Sequence, residues 1–127
     1  MNLEKVAFAF FTILACTLNF GFFLGEMDQP QFHHPAELFI AIVINLITLL
    51  IKFGDRTQMG ATHLATSLVA TLQLFAGALV WMWTVQFTGE PINGNTISII
   101  VSLSGGALLA NLVSVCLLIG ETLRQTR

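Results

Sequence analysis

The stretch AELFIAIVINLITLLIKF, residues 36–53, decides the fold. Apart from Glu37 near its start, Lys52 near its end, and Asn45 and Thr48 between them, every residue in it is apolar. A hydrocarbon core about 30 Å thick takes roughly 20 helical residues to cross, so this stretch reads as a membrane-spanning helix. Three further runs share its character, at about 6–25, 61–88 and 96–120. None alternates polar with apolar residues as the strands of a membrane barrel do. A helix satisfies its backbone hydrogen bonds within the segment, as hydrocarbon demands. The last two runs exceed the minimum length, which tilt or ends projecting into water would accommodate. The expectation is an all-α membrane protein, one domain over residues 1–127, with four transmembrane helices in an up-and-down bundle.

Composition points the same way. Of the 127 residues, 55% are hydrophobic and 9% charged, against roughly 25% charged in a soluble protein. A soluble domain this small keeps much of its surface wet and could not hide so much apolar area. Lys5 and the run Ile13-Leu14-Ala15-Cys16 loosely match a lipoprotein signal. After Cys16, however, the chain stays membrane-like through Leu24, so the first segment is expected to be a retained helix.

The charges orient the bundle. Lys5, Lys52, Arg56, Arg124 and Arg127 are the five basic residues, and with four spans all of them fall on one side. The other two connections carry none. The positive-inside rule then places both termini in the cytoplasm. The opposite side carries Glu26, Asp28, Glu37 and Glu90, with His33 and His34 among them. Glu26, Asp28 and Glu90 would form an acidic outer vestibule. Trp81 and Trp83 suit an interfacial aromatic belt. The loop Gly54-Asp55-Arg56-Thr57-Gln58-Met59-Gly60 is expected to close a tight helical hairpin, and Pro35 suits the first turn of the second helix.

Polar residues inside the spans carry the functional information, because they need protein or water to face. On the second helix Glu37, Ala41, Asn45, Thr48 and Lys52 recur at spacings of four, four, three and four, which sets them along one stripe. Around a symmetry axis, Glu37, Asn45 and Thr48 would form pore-lining or ion-binding rings that select cations. The same residues could equally bond neighbouring helices, with Glu37 and Lys52 at the water interfaces. Thr12, Cys16, Asn19 and Glu26 form a rival stripe on the first helix, suited to packing against the second. On the fourth helix Ser98, Ser102, Gly106, Ala110 and Ser114 recur every four residues as a small-residue packing seam. Thr66, Ala70, Gln73 and Gly77 on the third helix are the natural partners within the chain, and Asn111 could bridge helices. His63, near the inner end of the third helix, is a candidate pH sensor or gate, or else a hydrogen-bond partner of a neighbour. His33, His34 and Glu37 could hold a metal, and the acidic loops a harder cation such as calcium.

Cys16 and Cys116 both fall inside spans and form no Cys-x-x-Cys pair, which argues against a disulfide-generating enzyme. There is no nucleophile–base constellation, helical metal motif or phosphate-binding glycine loop, so no enzyme is expected. Net charge of −2 without a basic patch argues against nucleic-acid binding.

Four segments carry a family likeness: Leu18-Asn19-Phe20-Gly21-Phe22-Phe23, Lys52-Phe53-Gly54-Asp55-Arg56-Thr57-Gln58, Ala65-Thr66-Ser67-Leu68-Val69-Ala70, and Val101-Ser102-Leu103-Ser104-Gly105-Gly106-Ala107-Leu108-Leu109-Ala110-Asn111. Through them the chain resembles a family of short bacterial inner-membrane proteins of uncharacterised function. The resemblance implies a four-span architecture in a bacterial inner membrane and no mechanism. Small multidrug exporters fit less well, since their first helix carries a deep glutamate and this one has no acid between Lys5 and Glu26. Dual-topology fluoride channels need a weak charge bias, and here the bias is decisive. Copies should therefore insert in parallel, with symmetry about the membrane normal.

The leading expectation is a homo-oligomeric cation channel with an acidic outer mouth, open to divalent ions such as calcium. It would need no cofactor beyond a bound cation. The alternative is an accessory or scaffold subunit of a larger membrane complex without transport activity.

Overall fold

A computed structural model of the chain describes residues 3–25 and 28–125. Four long helices account for most of it: α1 (Leu3–Phe23), α2 (Pro35–Lys52), α3 (Gln58–Met82) and α4 (Gly94–Gln125). No strand occurs among the described residues. Each helix is long and apolar enough to cross a membrane, and the chain is a multi-pass membrane protein. The outward faces bear this out: Phe10, Leu72 and Leu109 are 58%, 60% and 65% exposed, a surface that only lipid tails can solvate.

The helix ends have local causes. Pro35 opens α2 at a position where its missing N–H costs nothing. Gly25, at φ 98°, turns the chain away after α1. Between α2 and α3, Gly54 takes φ 91°. Asp55 Oδ1 then accepts from the Thr57 amide at 2.9 Å and its hydroxyl at 2.7 Å. Thr57 in turn caps α3, accepting from the Gly60 amide at 2.9 Å. Those bonds hold the Asp55 carboxyl below the ordinary carboxylate range. Lys52 pairs with Asp55 at 3.6 Å. At its other end α3 widens into a π-helical turn, Trp83–Phe87, with the Trp83 and Phe87 rings stacked at 5.1 Å. Helix α4 runs on past Gly120, because Glu121 and Arg124 end the apolar run without breaking the helix.

The bundle is a closed ring in chain order. α1 packs against α2 and α4, and α3 packs against the same two. The described ends of α1 and α4 share one end of the bundle with the α2–α3 loop, so Lys5, Lys52, Arg56 and Arg124 gather there, at the termini end. Asp28, His33, His34 and Glu90 lie at the far end. The all-apolar part of the core sits toward the far end, where Phe22, Leu38, Leu74, Ile97, Ile100 and Val101 are packed together at 0–1% exposure.

Candidate functional site

Below that apolar plug the interior becomes polar. On α1 the buried residues are Phe8, Thr12, Ala15, Asn19 and Phe22, at alternating spacings of four and three that keep one face inward. On α2 they are Leu38, Ala41, Ile42, Asn45 and Thr48. Helical register and cross-helix contacts then sort the buried polar side chains into layers.

The layer next to the plug holds amides. With the Asn19 side chain oriented so that both of its ends are satisfied, its Nδ2 donates to the Ser104 carbonyl at 3.2 Å. Its Oδ1 accepts from Asn111 Nδ2 at 3.3 Å and from the Leu108 amide at 3.0 Å. The Ser104 hydroxyl lies 2.5 Å from the same amide. Asn19 therefore ties α1 to α4 and not to α2. Asn45 lies across the interior and donates to the Ala41 carbonyl of its own helix at 2.9 Å.

One turn closer to the termini end, each helix contributes a buried hydroxyl: Thr12, Thr48, Ser67 and Ser114, all at 1–2% exposure. Thr48 donates to the Ile44 carbonyl at 2.9 Å, and Ser114 is hydrogen-bonded to Thr66 across the α3–α4 interface. The Thr12 hydroxyl meets no partner among the described residues.

A further turn on comes the mouth. The Phe8 ring packs edge to face on His63, with centroids 4.9 Å apart at 80°. Lys52 Nζ lies 4.3 Å from the Phe8 ring centroid. His63 is fully buried, at 0% exposure, and neither of its ring nitrogens has a hydrogen-bond partner among the described residues.

The residues singled out in the sequence take these places. Asn45 and Thr48 do lie on one stripe, but at 1% and 2% exposure the stripe faces the inside of one chain's bundle. A ring around an axis between subunits needs those side chains on the outer face, and here they are not. Glu37, at the far end of the same stripe, is half-buried with its carboxylate lying over Gly21 of α1. Asp28 and Glu90 are exposed at the far end, and Glu26 lies outside the described residues.

The metal reading of His33, His34 and Glu37 needs correction. His33 turns inward at 1% exposure, its Nδ1 2.6 Å from the Phe22 carbonyl, while His34 is exposed at the start of α2. Adjacent residues before a helix point to different sides, and no group of three metal-binding side chains forms among the described residues.

The α4 seam divides. Ser114 and Gly106 face α3, the latter beneath the Gln73 amide, whereas Ser102 is exposed. Each four-residue step advances about 40° beyond a full turn, so five residues so spaced drift about 160° around the helix. The α2 stripe escapes this drift because its one three-residue step turns back. Phe8, Ser67 and Ser104 were not marked by the sequence. For Ser67 the signal was the seven-residue repeat of His63, Ala70 and Gly77 on α3, with Ser67 and Leu74 interleaved.

A family model described as "Family of unknown function (DUF6394)" matches residues 32–122, most of the chain. No curated protein and no solved structure matches it.

Proposed function

We propose that this chain, which belongs to that family of unknown function, conducts small cations across a bacterial inner membrane through the interior of its own four-helix bundle. The observation that carries this reading is the succession of buried polar layers from the Asn19, Asn45 and Asn111 amides, through the Thr12, Thr48, Ser67 and Ser114 hydroxyls, to His63. Polar groups at membrane depth face protein, water or an ion path, and a stack of them on all four helices suits a path. The plug of Phe22, Leu38, Leu74, Ile97 and Ile100 suits its closed state, since an apolar constriction stops ions by excluding water.

The positive-inside rule supports the orientation, with the termini end in the cytoplasm. Glu37, Asp28 and Glu90 then form an acidic outer mouth that raises local cation concentration. Copies that associate would do so in parallel, each with its own path.

A second reading is favoured by a different observation. Asn45, Thr48 and Thr71 all bond back to carbonyls of their own helices, so they need no ion or water. On that reading the chain is an accessory or scaffold subunit and its polar core is glue.

Flux of potassium, sodium, calcium and protons into liposomes separates the two. The comparison is the purified chain against Leu38→Asn, which wets the plug. The channel reading expects flux that rises in the variant. No flux of any ion from either protein, both folded and oriented, would leave the accessory reading.

A further inference from the structure

We infer that His63 is a proton-binding site in a hydrated chamber at the termini end of the bundle, an inference that rests on the reading of the interior as a cation path. His63 is wholly buried. A neutral imidazole offers one N–H and one lone pair, and here both nitrogens lack a partner, as does the Thr12 hydroxyl one turn along α1 from Phe8. Bare polar atoms in a membrane interior are costly, and the neighbouring side chains are already engaged. The Thr66 hydroxyl is held by the His63 carbonyl at 2.9 Å and by Ser114, and the Thr48 hydroxyl by Ile44. Water is the partner that remains. Buried waters typically make about three hydrogen bonds to groups of this kind.

Charges of both signs lie around the ring. Burial and Lys52 of α2 oppose a cation on His63, while Glu121 of α4 and Asp55 of the α2–α3 loop favour one. From α1 the facing group is the neutral Phe8 ring. Glu4 and Lys5 lie a turn further out, each engaged in an interaction of its own. His63 lies in the second turn of α3, at the termini end of the bundle beside the Phe8–Lys52 contact. The step moves one proton. Hydronium gives it to the lone-pair nitrogen and leaves as water, and the reverse step releases a proton from either nitrogen to water.

The test is nitrogen NMR of the full chain, labelled in histidine and held in lipid nanodiscs, from about pH 5 to about pH 8, the range in which histidine ordinarily changes charge. His63 is assigned by signal loss in His63→Asn. If that variant does not fold, His34→Asn and contacts to labelled Phe8 make the assignment. The expected result is a His63 ring whose nitrogen signals exchange with water and move with pH, with the exchange lost or reduced in Thr12→Val. Ring signals that ignore pH and show no water exchange would overturn the inference. Proton exchange at His63 in a protein that carries no flux keeps this inference and removes the conduction reading. Flux past a dry, unchanging His63 does the reverse.

Discussion

Lys52 Nζ stands 4.3 Å from the centroid of the Phe8 ring, joining α2 to α1 at the end of the bundle where the described basic residues gather. The same ring covers His63 on α3, so one phenyl group links three helices. A cation over an aromatic face contributes about 0.5–1 kcal/mol at sites of moderate exposure. A double-mutant cycle of Lys52→Met and Phe8→Leu, followed by unfolding in detergent, should return a coupling of about that size. Strictly additive losses would mean that the ammonium is held by Asp55 alone.

Asn19 makes a second prediction. Its amide joins Ser104, Leu108 and Asn111, so Asn19→Leu strands the Asn111 side chain in a buried layer. Such side-chain bonds between membrane helices contribute roughly 0.6–2 kcal/mol, and the stranded partner adds to the loss. Unfolding measurements should show Asn19→Leu destabilised by about 1–3 kcal/mol. Ser102→Ala, on the exposed face of the same helix pair, should stay within about 0.5 kcal/mol of the parent. Equal losses in both would deny the amide layer any special part.

How much of this was legible in the sequence differs by residue. The four spans follow from apolar length, and Pro35 and the Gly54 loop mark their joints. The end of α4 does not follow, because hydropathy reports where lipid stops and Glu121–Arg124 are helical beyond that point. The stripe from Glu37 to Lys52 was legible as a face, but periodicity says nothing about what a face meets, and it turns into the bundle of its own chain, between α1 and α3. Phe8 was invisible for a related reason. Phe8 is 2% exposed and Phe10 58%, yet both are apolar residues on a helix whose two sides contact apolar surroundings. In lipid, polarity marks the interior only where the interior is polar.

The α2–α3 hairpin should respond to acid. Asp55 accepts two hydrogen bonds from Thr57, which lowers its carboxyl in the folded chain relative to the unfolded one. A lowered folded value contributes stability that is present above the unfolded carboxylate range and fades as pH falls through the folded one. Hydrogen exchange at the Gly60 amide, capped by Thr57, should therefore quicken, relative to the global rate, only below the ordinary carboxylate range. In Asp55→Asn that acid-dependent step should disappear. A step that persists in the variant would belong to another group.

The α3–α4 interface sets a size limit at Gly77. A methyl group there would meet Ile100 Cγ2 at 3.5 Å and the Ile100 carbonyl at 3.7 Å, ordinary contact distances. Gly77→Ala should be tolerated or mildly stabilising, since alanine gains up to about 1 kcal/mol over glycine in a helix. Gly77→Leu has no such room and should lose about 1–3 kcal/mol to overpacking. Thermal unfolding of the two variants side by side checks the threshold. Equal behaviour would mean that α3 and α4 slide apart freely.

The carboxylate at the far mouth is held in place by its neighbour on α1. The Glu37 side chain lies directly over Gly21, where an added methyl group would strike its carboxyl group. Gly21→Ala should therefore displace the carboxylate without removing it, while its effect on helix propensity is favourable. If conduction depends on that charge in that place, Gly21→Ala and Glu37→Gln should both lower cation flux, and the double variant should fall no further than Glu37→Gln alone. Flux measured in the Leu38→Asn background, where the plug is wet, gives the largest signal. Independent, additive reductions would show that Gly21 acts by another route. No reduction in Glu37→Gln would take the carboxylate out of the path altogether.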